Sequence, residues 1–256
     1  NYKIESFKNN VISNQYEPGS TIKVIPILTV FQDINSNDIS YINCENGEYE
    51  IPNTSRIIHD HKPHKELTVD EILIYSSNIG ITKISDLIGK YQTYKSLRKF
   101  GIGTKTGVEL PGEERGEFRG LDSWTKLSHL MVNMGQEFSV TNIQLCMIYA
   151  SIANGGYLLK PQIIKEIHTI NNTTFSQVQV IRKVMNEDES KRIIKILEKA
   201  VTEGTGTNAS ISEYSIAGKT GTAEKFIDGK YSEREFVSSF ASIFPSSNPR
   251  YVCMIS

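Results

Sequence analysis

The sequence predicts an α+β protein. Apolar residues recur at helical spacing through the middle of the chain, and short strand-like runs cluster after Ser215. Glycine pairs and acidic loops separate these segments, with no internal repeat and no low-complexity tract.

Residues 1–19 read as polar and irregular, ending at the breaker Pro18-Gly19. A helix starts at Ser20-Thr21, good N-cap types, and runs through an apolar stretch from Ile22 to Phe31. Pro26 sits one turn in, so it should kink that helix or force a tight first turn. Residues 32–66 read as a polar excursion with short strands such as Glu48–Ile51. Thr68 with Glu71 three later forms a capping-box pattern ahead of Ile72, Leu73 and Tyr75. Helices follow over Ile79–Gly89 and Gln92–Phe100, then a glycine-rich acidic loop over 101–122. Ser139–Asn154 reads as a helix stopped by Gly155-Gly156. Strand-like pieces fill 157–184, and Asn186–Val201 is an amphipathic helix. Strands are expected at Tyr214–Ala217, Phe236–Phe244 and Arg250 to the end.

At 256 residues, 38% apolar and 22% charged, the chain can bury a real core and is not of the disordered class. A net charge of -1 gives no general attraction to nucleic acid or anionic lipid. Cys44, Cys146 and Cys253 are odd in number and lack CxxC spacing, which argues against a disulfide framework or a zinc site. No apolar run reaches the ~20 residues of a membrane helix. The chain does not begin with Met and ends in a strand-like run, so it is expected to be a piece of a longer protein.

Three motifs carry chemistry. Ser20-x-x-Lys23 sets an amine and a hydroxyl on one helical face. A serine is a poor nucleophile until a base takes its proton, and a lysine serves only when burial or a second cation lowers its pKa. Ser20 also gains from the local helix dipole, which favours developing negative charge. Ser76-Ser77-Asn78 supplies a hydroxyl for proton relay and a carboxamide for hydrogen bonding. Lys219-Thr220-Gly221-Thr222 reads as a strand presenting a cation and hydroxyls to an anionic substrate end, with a glycine that lets substrate backbone approach. A phosphate loop is the rival for the third motif. It fails because Glu213, not glycine, lies five residues before Gly218. Each motif alone is weak, being also what a capped turn or a solvated lysine looks like. SxxK, SxN and KTG in that order are the set shared by penicillin-binding proteins and class A β-lactamases.

The chain resembles the transpeptidase domain of class B penicillin-binding proteins over nearly its whole length. The resemblance is carried by Tyr16–Thr21, Leu67-Thr68 with Ser76–Gly80, Phe100–Gly103, Thr106–Glu113, Met134–Gln136 with Val140-Thr141, Ala153–Gly156, Glu203–Thr207 and Ala217–Ala223. Glu17 and the Ser-Ser-Asn form are closest to the division-type (septal, penicillin-binding protein 3-like) branch. The resemblance implies a serine β-lactamase/DD-peptidase-like fold. That fold has an antiparallel sheet flanked by helices plus an all-helical subdomain, here with the terminal strands truncated. Residues 1–256 would be one transpeptidase domain, without the membrane anchor and pedestal domain of the family.

The activity implied is peptidoglycan crosslinking through a Ser20 acyl-enzyme formed on D-Ala-D-Ala. Lys23 would accept the serine proton, and Ser76 would relay a proton to the leaving D-Ala. Asn78 would bind the substrate amide and orient Lys23. Lys219 would supply positive potential, while Thr220, Gly221 and Thr222 bind substrate. The N–H groups of Ser20 and Thr222 would form an oxyanion hole. The resemblance implies no cofactor and no metal. The partners implied are donor and acceptor stem peptides, β-lactams that acylate Ser20, and a membrane glycosyltransferase with division proteins around the full-length protein. It also implies a place on the outer, periplasmic side of the cytoplasmic membrane.

His59-x-His61-x-x-His64, with Asp60 inside it, tempts a metal reading, but the spacing fits no standard zinc pattern. His129 and His168 have no nucleophile-elbow serine to serve. The alternatives are a β-lactam-sensing receptor domain and a serine β-lactamase. The second needs a deacylating base, for which Glu113 lies in roughly the expected region, although Glu117 rather than Asn follows four residues later.

Overall fold

The computed structural model describes residues 8–34, 39–227 and 230–256. Residues 1–7 of the expected irregular start and 35–38 of the polar excursion lie outside them.

A short helix α1 (Asn10–Ser13), capped by Asn9, interrupts the N-terminal stretch. The nucleophile-type motif does not begin an α-helix as expected. Gly19–Lys23 forms a 3₁₀ turn that leads into α2 (Val24–Asp33). This is the tight first turn that Pro26 requires, since the ring leaves no room for a regular α-turn before it. Helix α2 is buried from Val24 through Val30, so it forms the spine of the core.

The polar excursion holds β1 (Ile42–Asn43), β2 (Glu48–Glu50), β3 (Ile57–His59) and β4 (Glu66–Leu67), paired β1 with β4 and β2 with β3. Helix α3 (Val69–Ile74) carries the expected capping box, with Glu71 N donating to Thr68 and Thr68 N donating to the Glu71 carboxylate. Helix α4 (Asn78–Lys99) breaks at Gly89, whose φ of +74° separates the two helical stretches that the sequence predicts. The loop over 101–120 ends in a 3₁₀ turn at Leu121–Ser123, followed by α5 (Ser128–Met134). Helix α6 (Asn142–Ala153) begins three residues later than expected. Val140 is held in a bridge to Tyr16, and Thr141 is the N-cap, boxed with Gln144.

Strands β5 (Tyr157–Leu159), β6 (Glu166–His168), β7 (Thr173–Phe175) and β8 (Val180–Lys183) pair as β5 with β8 and β6 with β7. Helix α7 (Glu187–Thr202) is capped by Asn186, and its apolar face from Ile193 to Val201 is buried. The principal sheet is antiparallel, in the order β11 (Tyr251–Ile255), β10 (Lys230–Phe244), β9 (Ala217–Ile227). Helices α6 and α7 pack against this sheet, and α2, α4 and α5 form the helical side of the molecule. The mixture is the α+β arrangement expected. One core cluster spans both parts, from Ile22 on the motif turn to Ile243 on β10.

Candidate active site

A cleft of about 550 Å³ opens where the helical side meets the free edge of β9. Ser20, Ser76, Asn78, Thr220 and Thr222 all line it, so residues up to 202 positions apart in sequence converge on one site.

Ser20 is placed by its neighbours. Gly19 has φ +54°, and a Cβ there would come within 2.7 Å of the Thr222 carbonyl oxygen. Only glycine accepts both the left-handed backbone and that approach to β9. Gly19 N donates to Gly135 O at 3.1 Å, and the Tyr149 hydroxyl donates to Thr21 O at 2.8 Å. In a 3₁₀ turn residues three apart eclipse, which sets Ser20 and Lys23 on one side.

Lys23 is wholly buried, and its Nζ donates to Ser76 O at 2.7 Å, Asn78 Oδ1 at 2.7 Å and Ser77 O at 3.3 Å. Among the described residues no hydrogen bond joins Lys23 to Ser20. Such contacts commonly form only when substrate closes the site. Burial lowers the Lys23 ammonium to about 7, and the Asp60 charge offsets part of that drop. A neutral amine is therefore present near neutral pH.

Ser76 holds φ +60°, a left-handed conformation unusual for a residue with a side chain. That backbone aims both of its oxygens at lysines. Ser76 Oγ accepts from Lys219 Nζ at 2.8 Å and lies 3.5 Å from Lys23 Nζ. Lys219 is wholly buried rather than outward on its strand as expected, because residues alternate across β9 and it falls on the inner face. Burial, then the Lys23 charge, pushes Lys219 well below the usual lysine range. Two buried amines thus flank one hydroxyl, an arrangement that can pass a proton.

Thr220 and Thr222 line the cleft, with Thr220 Oγ1 donating to Thr205 Oγ1 at 2.8 Å. Gly204, Thr205 and Thr207 extend that hydroxyl-rich wall. Gly221 is buried and is not among the residues that line the cleft. A Cβ there would meet Ser239 Oγ at 2.5 Å and Pro18 O at 2.9 Å. Its missing side chain lets β9 close on the Ser20 segment.

Asp60 is the residue that motif reasoning missed. Its Oδ1 accepts from Asn78 N at 2.5 Å and Ile79 N at 3.0 Å, and its Oδ2 accepts from Ser77 Oγ at 2.6 Å. The carboxylate caps the start of α4, where it also complements the helix dipole. Asn78 is held from the other side by Nδ2 donating to His59 O at 3.0 Å. The sequence signal was the His59–His64 cluster, whose acid serves a helix end. His59 faces Glu48 at 3.9 Å, and the His64 ring stacks on Tyr75.

Glu17 ties the Ser20 segment to two further elements, accepting from Glu137 N at 2.9 Å and from the Tyr231 hydroxyl at 3.1 Å, and burial raises its carboxyl pKa. Glu113 is 8% exposed and accepts from Thr106 N, Thr106 Oγ1 and Gly107 N, so it braces a turn away from the cleft.

Comparison with known proteins agrees with this geometry. The penicillin-binding protein transpeptidase domain family matches residues 1–256. Stage V sporulation protein D of Bacillus subtilis is 33% identical over 252 residues, covering 97% of this chain and 39% of that protein. The peptidoglycan D,D-transpeptidase FtsI homolog of Mesostigma viride is 29% identical over 283 residues, covering 99% and 46%. The chain thus spans less than half the length of these relatives. Penicillin-binding protein 3 of Mycobacterium tuberculosis, solved with ampicillin, superposes with a TM-score of 0.86 at 29% identity, covering 96% of this chain and 56% of that one. With motif order, cleft geometry and full-length family match in agreement, the chain belongs to the transpeptidase domain family of penicillin-binding proteins.

Proposed function

We propose that the chain is the catalytic domain of a serine D,D-transpeptidase that crosslinks peptidoglycan stem peptides. The observation that carries this reading is Ser76 Oγ held between two buried lysines in the cleft that Ser20 lines. Ser20 Oγ attacks the carbonyl carbon between the two D-alanines, and its proton passes to neutral Lys23. The N–H groups of Ser20 and Thr222 take the developing oxyanion. Ser76, bonded to both lysines, relays a proton to the departing D-Ala amine as the peptide bond breaks. An acceptor amine then attacks the Ser20 ester, and the serine is regenerated.

Lys219 provides positive potential for the donor's terminal carboxylate, which Thr220 and Thr222 contact. The edge position of β9 suits an extended peptide, whose backbone can pair with it. Gly221 serves by keeping β9 against the Ser20 segment. Among the described residues no Asp or Glu lines the cleft, which favours a long-lived acyl-enzyme over a β-lactamase.

In the longer protein we place this domain on the outer side of the cytoplasmic membrane, in the branch that includes penicillin-binding protein 3. No helix among the described residues is long and apolar enough to cross a membrane. Mass mapping after benzylpenicillin treatment tests the assignment: the adduct is expected on Ser20, and an adduct elsewhere overturns it.

A further inference from the structure

We propose that His61 and Lys62 form a second anion subsite, which reads a carboxylate on the acyl part of the donor peptide, upstream of D-Ala-D-Ala. This rests on the D,D-transpeptidase reading above.

The cleft has two walls of different chemistry. The β9 side offers hydroxyls from Thr205, Thr207, Thr220 and Thr222, which suit the donor's terminal carboxylate. The opposite wall comes from the β3–β4 connection and presents His61 and Lys62 beside Asn78. Donor residues that precede D-Ala-D-Ala and pass Asn78 therefore run along His61 and Lys62.

Both side chains are exposed and take no hydrogen-bond or ion-pair partner among the described residues. Neighbouring basic side chains have partners: His59 faces Glu48 at 3.9 Å, and Lys83 bonds Glu45 at 2.6 Å. The one acid in the segment, Asp60, is committed to the start of α4. With no carboxylate among the described lining residues, the Lys62 ammonium on that wall attracts an anionic ligand.

The segment is also held in place. Asp60 anchors it on one side through four bonds, its own N–H donating to Gly47 O at 3.0 Å. On the other side Pro63 packs on Gly47, where a Cβ would lie 2.9 Å from Pro63 Cα. His64 Nδ1 bonds Lys62 O at 3.0 Å while its ring stacks on Tyr75, itself a lining residue. Little backbone ordering remains to oppose binding.

The test compares two β-lactams that differ by one carboxylate on the acyl side chain. Second-order acylation constants for carbenicillin and benzylpenicillin are measured on the intact chain, Lys62→Ala and Lys62→Glu. The carbenicillin-to-benzylpenicillin ratio is expected to fall about fivefold in Lys62→Glu and by less in Lys62→Ala, the size of an exposed charge pair. Added salt should shrink the difference. A ratio that stays within about twofold in Lys62→Glu overturns the subsite. So does a parallel loss with both compounds, which would mean the segment only positions Asn78. If benzylpenicillin labels a residue other than Ser20 in the unaltered chain, the transpeptidase reading falls first, and the subsite with it.

Discussion

Asp60 holds Asn78 by its backbone: Asp60 Oδ1 accepts from Asn78 N at 2.5 Å, while Asn78 Oδ1 accepts from Lys23 Nζ at 2.7 Å. A carboxylate outside all three motifs thereby sets the amide that holds Lys23. Asp60→Ala would leave the N–H groups of Asn78 and Ile79 and the Ser77 hydroxyl without this acceptor. The expected loss of stability is about 2–4 kcal/mol. Acylation by benzylpenicillin should slow by at least about tenfold as Asn78 loosens. Thermal denaturation and stopped-flow acylation check both, and Asp60→Asn should recover part of the stability by keeping one acceptor oxygen.

The Lys23–Ser76–Lys219 arrangement predicts the pH dependence of acylation. If neutral Lys23 takes the Ser20 proton, the rate constant rises with pH through about 7 and levels off above it. Charge repulsion between the lysines is mutual, so removing the Lys219 charge should move that limb to higher pH. Benzylpenicillin acylation of Lys219→Gln, measured from pH 5.5 to 9, reads the shift. A limb unmoved by Lys219→Gln would mean that the charge on Lys219 does not act on Lys23. Lys23→Arg, which stays charged throughout, should lose at least about a thousandfold at every pH.

Gly19→Ala tests the approach of the Ser20 segment to β9. The new Cβ meets Thr222 O at 2.7 Å, and φ is +54°. The left-handed conformation alone costs about 1–2 kcal/mol. Relief requires the turn to move away from Thr222, which separates the two proposed oxyanion donors. Acylation should fall by at least about tenfold with the helix content of the circular dichroism spectrum retained.

Glu113 separates the transpeptidase reading from a β-lactamase. It braces Thr106 and Gly107, so Glu113→Gln should lower stability by about 1–3 kcal/mol. The half-life of the benzylpenicillin adduct should be unchanged. A markedly longer half-life in the variant would show that Glu113 serves deacylation.

Local signals were readable where chemistry is local. The capping box at Thr68 marks a helix start because cap and partner lie three residues apart. The gap between the Gly89 and Gln92 stretches was readable for the same reason. Helix α5 carried no such mark. Its cap position is Leu127, and Ser128–Met134 is buried nearly all round, so no amphipathic period shows. Lys219–Thr222 was legible as a strand from its motif, whereas the continuation of β9 to Ile227 was not, because Glu224 and Lys225 are consecutive exposed polar residues that show no alternation. The site followed the same division. Ser20, Ser76, Asn78 and Lys219 could be named from motif order. The bond from Asp60 to Asn78 spans 18 residues, and nothing local announces it.

The two buried lysines also bear on stability. In the unfolded chain a lysine titrates near about 10.4, whereas burial in the fold lowers Lys23 to about 7 and Lys219 below its usual range. Between those limits the unfolded state binds more protons than the folded one. Stability therefore rises with pH from about 7 toward about 10, and the full cost of charging the site is felt below about 7. A carboxylate with a depressed pKa gives its rise at acid pH instead, so the windows are separable. Denaturant midpoints taken from pH 6 to 9.5 should climb for the unaltered chain. In Lys23→Met the climb should flatten, because one of the two titrations is gone. The slope that remains belongs to Lys219, freed of its neighbour's charge, and Lys23→Met combined with Lys219→Met should remove it. A climb undiminished in the double variant would place its origin outside this pair.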